Sequence, residues 1–264
     1  MDAMQFEPMS VSRIIDRTFT LYKRNFVRFI TIVAVIQVPL ALLSLVWLAM
    51  LSRSFEDGTS AITGTVTAFV SIFISLVGNA LCQGALARSI SDAYLGKELT
   101  VEQTFRAVLP KLMTLIGASL LIGLVVGVGF MLLVVPGVIF GLWYFVTTPS
   151  IVVENQGATA GMSRSKALAS GNLGKVFAVG FLAVAITWII SFPIGFVGGF
   201  FSRLLFGDAF MLTLFCDQFA VLIGQVLATP IVSAAAVLLY YDLRIRKEGF
   251  DLQMLAQNMG TSQG

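Results

Sequence analysis

The 264-residue chain contains no histidine at all. This excludes imidazole metal sites, histidine-based nucleophilic triads and histidine general acid–base chemistry. Cysteine is almost as scarce: Cys82 and Cys216 lie far apart, each in an apolar stretch, without a Cys-x-x-Cys spacing. Such cysteines are expected to be buried free thiols rather than metal ligands or a redox pair. Charge is also thin, at 12% of residues, against about 25% for soluble globular domains. A water-soluble enzyme of this length needs more polar surface than that. No cofactor or metal is expected, and no pattern of basic and aromatic residues points to nucleic acid.

What remains is apolar: 57% of residues are hydrophobic and the mean hydropathy is +0.91. The expected fold class is all-α, a single polytopic membrane domain over 1–264. Six hydrophobic runs mark candidate spans at 27–51, 61–87, 112–135, 137–153, 176–200 and 214–241, followed by a tail at 242–264. About 20 residues of helix cross the hydrocarbon core, so the fourth run is marginal. It starts at Pro136-Gly137, where a tight hairpin with the third is expected. The first run is too long for a signal-peptide core and has no convincing small-residue cleavage site, so it reads as a retained span.

The positive charges are distributed very unevenly between the two ends of these runs. Fifteen of the seventeen lysines and arginines fall before span one, between two and three, between four and five, or after six. Arg53 and Arg203 alone fall on the other side. The positive-inside rule then places both termini in the cytoplasm.

The segments preceding the odd-numbered spans have their own pattern. Over 10–26, Ile15, Phe19, Tyr22 and Phe26 recur at helical spacing opposite Arg13, Arg17 and Arg24. That spacing predicts a basic amphipathic helix at the headgroup surface. In LTVEQTFRAVLPKL, Thr100 and Gln103 have capping-box spacing. A gapless comparison pairs Leu21 with Leu168, Asn25 with Asn172 and Arg28 with Lys175, suggesting three repeats of amphipathic helix plus hairpin. Asp92, Glu154 and Asp242 sit near helix C-termini, where a carboxylate is disfavoured. Compensation is expected from Arg13, Arg17, Arg106, Arg164 and Lys166, with solvated loop acids as the plain alternative.

Polar residues inside spans are the other candidates. Asp217 is the one acid within a proposed span, with Gln218 beside it and Gln225 farther along. It reads either as a residue at the outer interface or as a cation site partnered by Asn79 and Gln83. Gln37 is a lesser candidate, and interhelical hydrogen bonds are the usual role of such amides. Gly123–Gly127, Gly137–Gly141 and Gly195–Gly199 are small-xxx-small pairs, read as helix packing before dimerisation. At the end of span six, Tyr240 and Tyr241 occupy an aromatic-belt position. Arg244 and Lys247 follow on the same helical face as Tyr240, and Arg246 is spaced to meet Asp242. An anionic-lipid site built from Tyr240, Tyr241, Arg244 and Lys247, completed by Arg164 and Lys166, is one expectation; purely topogenic charges are the other.

MSVSRIIDRTFTLYKRNF, PSIVVENQGATAGMSRSKALASGNLGKVF and YYDLRIRKEGFDLQML occur in this order. With them the chain resembles the prokaryotic family labelled glycerophosphoryl diester phosphodiesterase membrane domain, together with related six-span inner-membrane proteins. The resemblance implies the membrane module alone, since the hydrolase of those enzymes is a separate barrel that uses histidine. It also implies a prokaryotic cytoplasmic membrane and dealings with phospholipid. The function expected is a non-catalytic, lipid-interacting module for membrane organisation, lipid handling or a partner complex. A secondary transporter or flippase is the alternative. Expected partners are phospholipid and, within the bilayer, a second copy or another membrane protein.

Overall fold

The computed structural model describes residues 8–56, 61–97, 99–207 and 209–249. Every regular element among them is helical. They are α1 (Val11–Arg24), α2 (Phe26–Glu56), α3 (Ala61–Tyr94), α4 (Val101–Val108), a 3₁₀ turn (Leu109–Lys111), α5 (Leu112–Leu132), α6 (Val134–Tyr144), α7 (Thr147–Glu154), α8 (Ala158–Ala169), α9 (Leu173–Phe206) and α10 (Phe210–Glu248). Six stretches are long and apolar enough to cross a bilayer: Phe26–Trp47, Ala68–Tyr94, Val101–Leu132, Val134–Glu154, Leu173–Phe206 and Met211–Glu248. The chain is an all-α polytopic membrane protein. Most of the tail expected at 242–264 lies outside the described residues; its first part continues α10.

Local chemistry explains the boundaries. Ser10 caps α1 by accepting the Arg13 N–H, and Asn25 separates α1 from α2. Thr100 and Gln103 form the expected reciprocal capping box at α4. The hairpin between the third and fourth spans turns at the extended residue Leu133, not at Pro136-Gly137. Pro136 instead lies in the first turn of α6, where a missing N–H costs nothing because that turn has no intrahelical acceptor. The fourth span is broken at residues 145–146, with Pro149 in the first turn of α7 for the same reason. Asn155 stops α7 by adopting a left-handed conformation at φ 55°, and the Gln156 N–H returns to the Ile151 carbonyl. Asparagine tolerates that conformation better than most residues.

Three helix pairs form hairpins: α2 with α3, α5 with α6, and α9 with α10. The last also touches α1, α2, α3, α7 and α8. Its second half is the centre of the molecule: Ala234, Ala235 and every residue from Val237 to Leu243 are buried. The short helices α1, α4, α7 and α8 gather at this end, which also carries most of the basic residues and is termed the basic end. Toward the opposite end the hairpins expose their apolar side chains, among them Phe69, Phe73, Met131, Trp188, Phe196 and Leu204. Lipid tails are as apolar as those side chains, so exposure there carries no hydrophobic penalty.

The small-residue pairs contribute less than their spacing suggests. A side chain added at Gly123, Gly127, Gly141 or Gly195 would meet nothing within 4 Å. The close approach of α9 and α10 uses a different set. A Cβ at Gly198 would come within 2.3 Å of the Ala220 Cβ, and one at Gly224 within 3.3 Å of the Ser191 Cβ.

Candidate functional site

Two networks of charged residues meet at the basic end. The first centres on Asp242, whose side chain is completely buried in α10. Its Oδ1 accepts the Met9 N–H at 2.6 Å, and its Oδ2 pairs with the Lys175 ammonium and with Arg246 Nε at 3.1 Å. Lys175 and Arg246 also donate to the Met9 carbonyl, the latter at 2.9 Å. The segment before α1 is thus held on both its backbone groups by α9 and α10. The i, i+4 pairing of Arg246 with Asp242 is the one the helix spacing predicts. The share taken by Lys175 and Met9 does not follow from helix spacing. A carboxylate directly after two tyrosines in an apolar helix was the available signal, since it demands a cation from elsewhere.

The second network centres on Glu154, delivered by the left-handed stop of α7. Arg164 Nε lies 3.0 and 2.9 Å from its two oxygens, and the Tyr240 hydroxyl donates to Oε1 at 2.6 Å. Arg164 Nη2 continues to Glu248 Oε2 at 2.7 Å, and Arg244 Nε lies 3.2 Å from that same oxygen. Arg244 Nη1 completes the loop by donating to the Tyr240 hydroxyl at 3.2 Å. The hydrogen bond to Glu248, followed by the interactions with Glu154, holds the Arg164 proton more tightly than usual against the opposing effect of burial. Two arginines, two glutamates and a tyrosine thereby join α7, α8 and α10.

These networks correct the lipid pocket expected from sequence. Tyr240 and Tyr241 are fully buried rather than placed in an aromatic belt, and Tyr241 shares a 2.6 Å hydrogen bond with Ser91. Arg164 and Arg244 are enclosed among carboxylates. A phosphate bridging Arg244 and Lys247 would have to displace Glu248, because charge-assisted pairs of this kind are the strong ones. Lys247 is exposed and donates to the Ala167 carbonyl. Lys166 is exposed and lies over the Trp143 ring, 4.3 Å from its centroid.

The expected clamps divide in the same way. Glu154 meets Arg164, one of the five cations offered to these acids. Asp92 pairs within its own helix with Arg88 at 2.8 Å, while Arg106 pairs with Glu102 at an exposed site. Helix α1 packs a face of Ile14, Thr18 and Tyr22 inward, and the Tyr22 hydroxyl donates to the Leu227 carbonyl of α10 at 3.0 Å. Lys23 and Arg24 are exposed.

The intramembrane polar residues do not form one cluster. Gln83 accepts from Ser233 at 3.0 Å, and Asn79 accepts from Gln37 at 3.3 Å. These interhelical bonds tie α3 to α10 and to α2. Asp217 lies in the second turn of α10 and accepts from the Ser202 hydroxyl of α9 at 2.7 Å. Sixteen residues of helix separate it from Ser233, or about 24 Å, so Asn79 and Gln83 are not its partners. Gln218 is half-buried and Gln225 exposed.

Comparison with known proteins gives one informative likeness. The chain is 33% identical over 101 residues to a UPF0259 membrane protein of Pectobacterium carotovorum subsp. carotovorum (strain PC1). The match covers 38% of this chain and 40% of that protein. The likeness supports a prokaryotic membrane protein. No family model matches the chain, and no solved structure matches it.

Proposed function

We propose that this protein is a non-catalytic module of a prokaryotic cytoplasmic membrane that engages anionic phospholipid through its basic end. The exposed cations of α1 carry this reading: Lys23 and Arg24 face outward while the opposite side of the same helix is packed on the bundle. Exposed Lys166 and Lys247 extend the cationic surface across α8 and α10. Near an anionic leaflet each basic residue contributes about 1 kcal/mol. Family resemblance adds support, since the membrane domain it resembles is associated with phospholipid-related enzymes. The paired arginines of the interior serve assembly in this reading, and the surface cations serve lipid.

The test replaces Lys23 and Arg24 together with Gln and compares anionic lipid retained through purification by native mass spectrometry. Retention is expected to fall at least tenfold at an unchanged unfolding temperature. Unchanged retention would reduce these charges to topogenic ones. Orientation follows from the same surface, since the basic end belongs in the cytoplasm with both termini. A cytoplasm-dependent reporter is expected to be active when fused at either end, and a reporter active only outside would overturn the orientation.

Transport of a small or lipidic substrate is the second reading, and the exposed Gln225 within an apolar helix is the observation that favours it. A polar side chain at that depth belongs beside water or a polar ligand.

A further inference from the structure

The end of the α9–α10 hairpin farthest from the basic end holds a groove of about 810 Å³. That volume falls in the range of small-molecule sites. Its walls are Phe192, Phe196 and Phe200 of α9, with Val221 of α10, and all four are substantially exposed. Gly195 and Gly199 leave the floor open. Two charges of opposite sign complete the lining, Arg203 from the last turn of α9 and Asp217 from the second turn of α10.

This juxtaposition is uncommon for three reasons. Carboxylates are disfavoured inside membrane spans, and Asp217 has the Ser202 hydroxyl as its side-chain partner. Arg203 is exposed, and no ion pair among the described residues joins it to Asp217. On the opposite side of the same helix pair lies a second groove of about 540 Å³, lined by Pro193, Val197, Phe215, Phe219 and their neighbours without a single charged residue. The charges are therefore a property of one groove and not of the hairpin end in general.

We infer that this groove binds a zwitterionic phospholipid whose headgroup ends in a primary ammonium. Charge complementarity selects the occupant. Arg203 donates to the phosphate in charge-assisted hydrogen bonds, and Asp217 accepts from the ammonium a few bonds farther along the headgroup. The Ser202 hydroxyl holds Oδ1 of the Asp217 carboxylate in place. One acyl chain lies along the phenylalanine wall, in continuity with the bilayer. A headgroup without a cation leaves Asp217 facing a phosphate unpaired, and a quaternary ammonium offers it no N–H.

The site is separate from the lipid surface of the basic end, and the experiment keeps the two apart. The purified full chain is titrated with phosphatidylethanolamine, phosphatidylglycerol and phosphatidylcholine, and bound lipid is counted by native mass spectrometry. The Lys23 and Arg24 double variant is run alongside. Phosphatidylethanolamine is expected to be retained about tenfold over either competitor, and that preference is expected to survive in the double variant. Asp217→Asn keeps an acceptor for Ser202 and is expected to abolish the preference, while Arg203→Gln weakens retention of phosphatidylethanolamine about tenfold. Gly195→Leu, at a position where an added Cβ meets nothing within 4 Å, projects into the groove and is expected to exclude the lipid, which keeps the test decisive if Asp217→Asn fails to fold. Equal retention of all three lipids by the wild-type chain would overturn the inference, as would a preference unchanged in both Asp217→Asn and Gly195→Leu.

Discussion

Asp242→Asn is expected to be the most damaging conservative substitution in the chain. It removes the charge that neutralises Lys175, whose side chain is only 13% exposed, and weakens the hold of Arg246 and Met9 on the same carboxyl. Breaking a buried ion pair from one side costs about 3–5 kcal/mol, because the remaining charge is left uncompensated. The loss should appear as a lower unfolding temperature of the purified protein and as protease sensitivity near residue 9, where the chain comes away from α10. Lys175→Met in the Asp242→Asn background should recover much of the loss, because the uncompensated charge has gone with it. A double variant no more stable than the single one would show that Asp242 acts through Met9 and Arg246 rather than Lys175.

Glu154→Ala is expected to rank second. The carboxylate is shared by Arg164, Arg244, Tyr240 and Gln156, so its removal takes one of the two network carboxylates from both guanidinium groups and leaves Glu248 as the other. A loss of about 2–4 kcal/mol follows if Glu248 compensates in part. Glu154→Gln keeps an acceptor for the Tyr240 hydroxyl and should recover only a minority of the loss, since the charge-assisted bonds to the arginines are the stronger ones. Arg244→Met should be tolerated better than Glu154→Ala, because it leaves an arginine for each network carboxylate to share. Measured unfolding temperatures order the three variants; an Arg244→Met protein less stable than Glu154→Ala would contradict this account of the network.

Much of the architecture was legible in the chain because it rests on one-dimensional quantities. The cost of placing charge in hydrocarbon marks the six spans. The neighbour relations of one helix predict the Thr100–Gln103 box and the Arg246–Asp242 pair, whereas Arg164 is one of five cations the sequence offers to three acids and only the structure assigns it to Glu154. The asymmetry of fifteen cations against two likewise needs no coordinates, and it collects Met9, Lys175 and Asp242 at one end before any contact between them is known.

Which face of each span meets protein and which meets lipid was decided only by the tertiary structure. Hydropathy is blind to that difference, because the lipid tail and the packed core are equally apolar. Tyr240 and Tyr241 therefore read as interfacial and prove central, while Gly123 and Gly127 read as packing residues and lie open. Asp217 could be given its partner, Ser202, only once the crossing of α9 and α10 at Gly198 and Ala220 had set the two helices in register. Local propensity and transfer free energy act along one helix; the pairing of distant charges depends on which helices become neighbours, and that is settled by packing across the whole bundle.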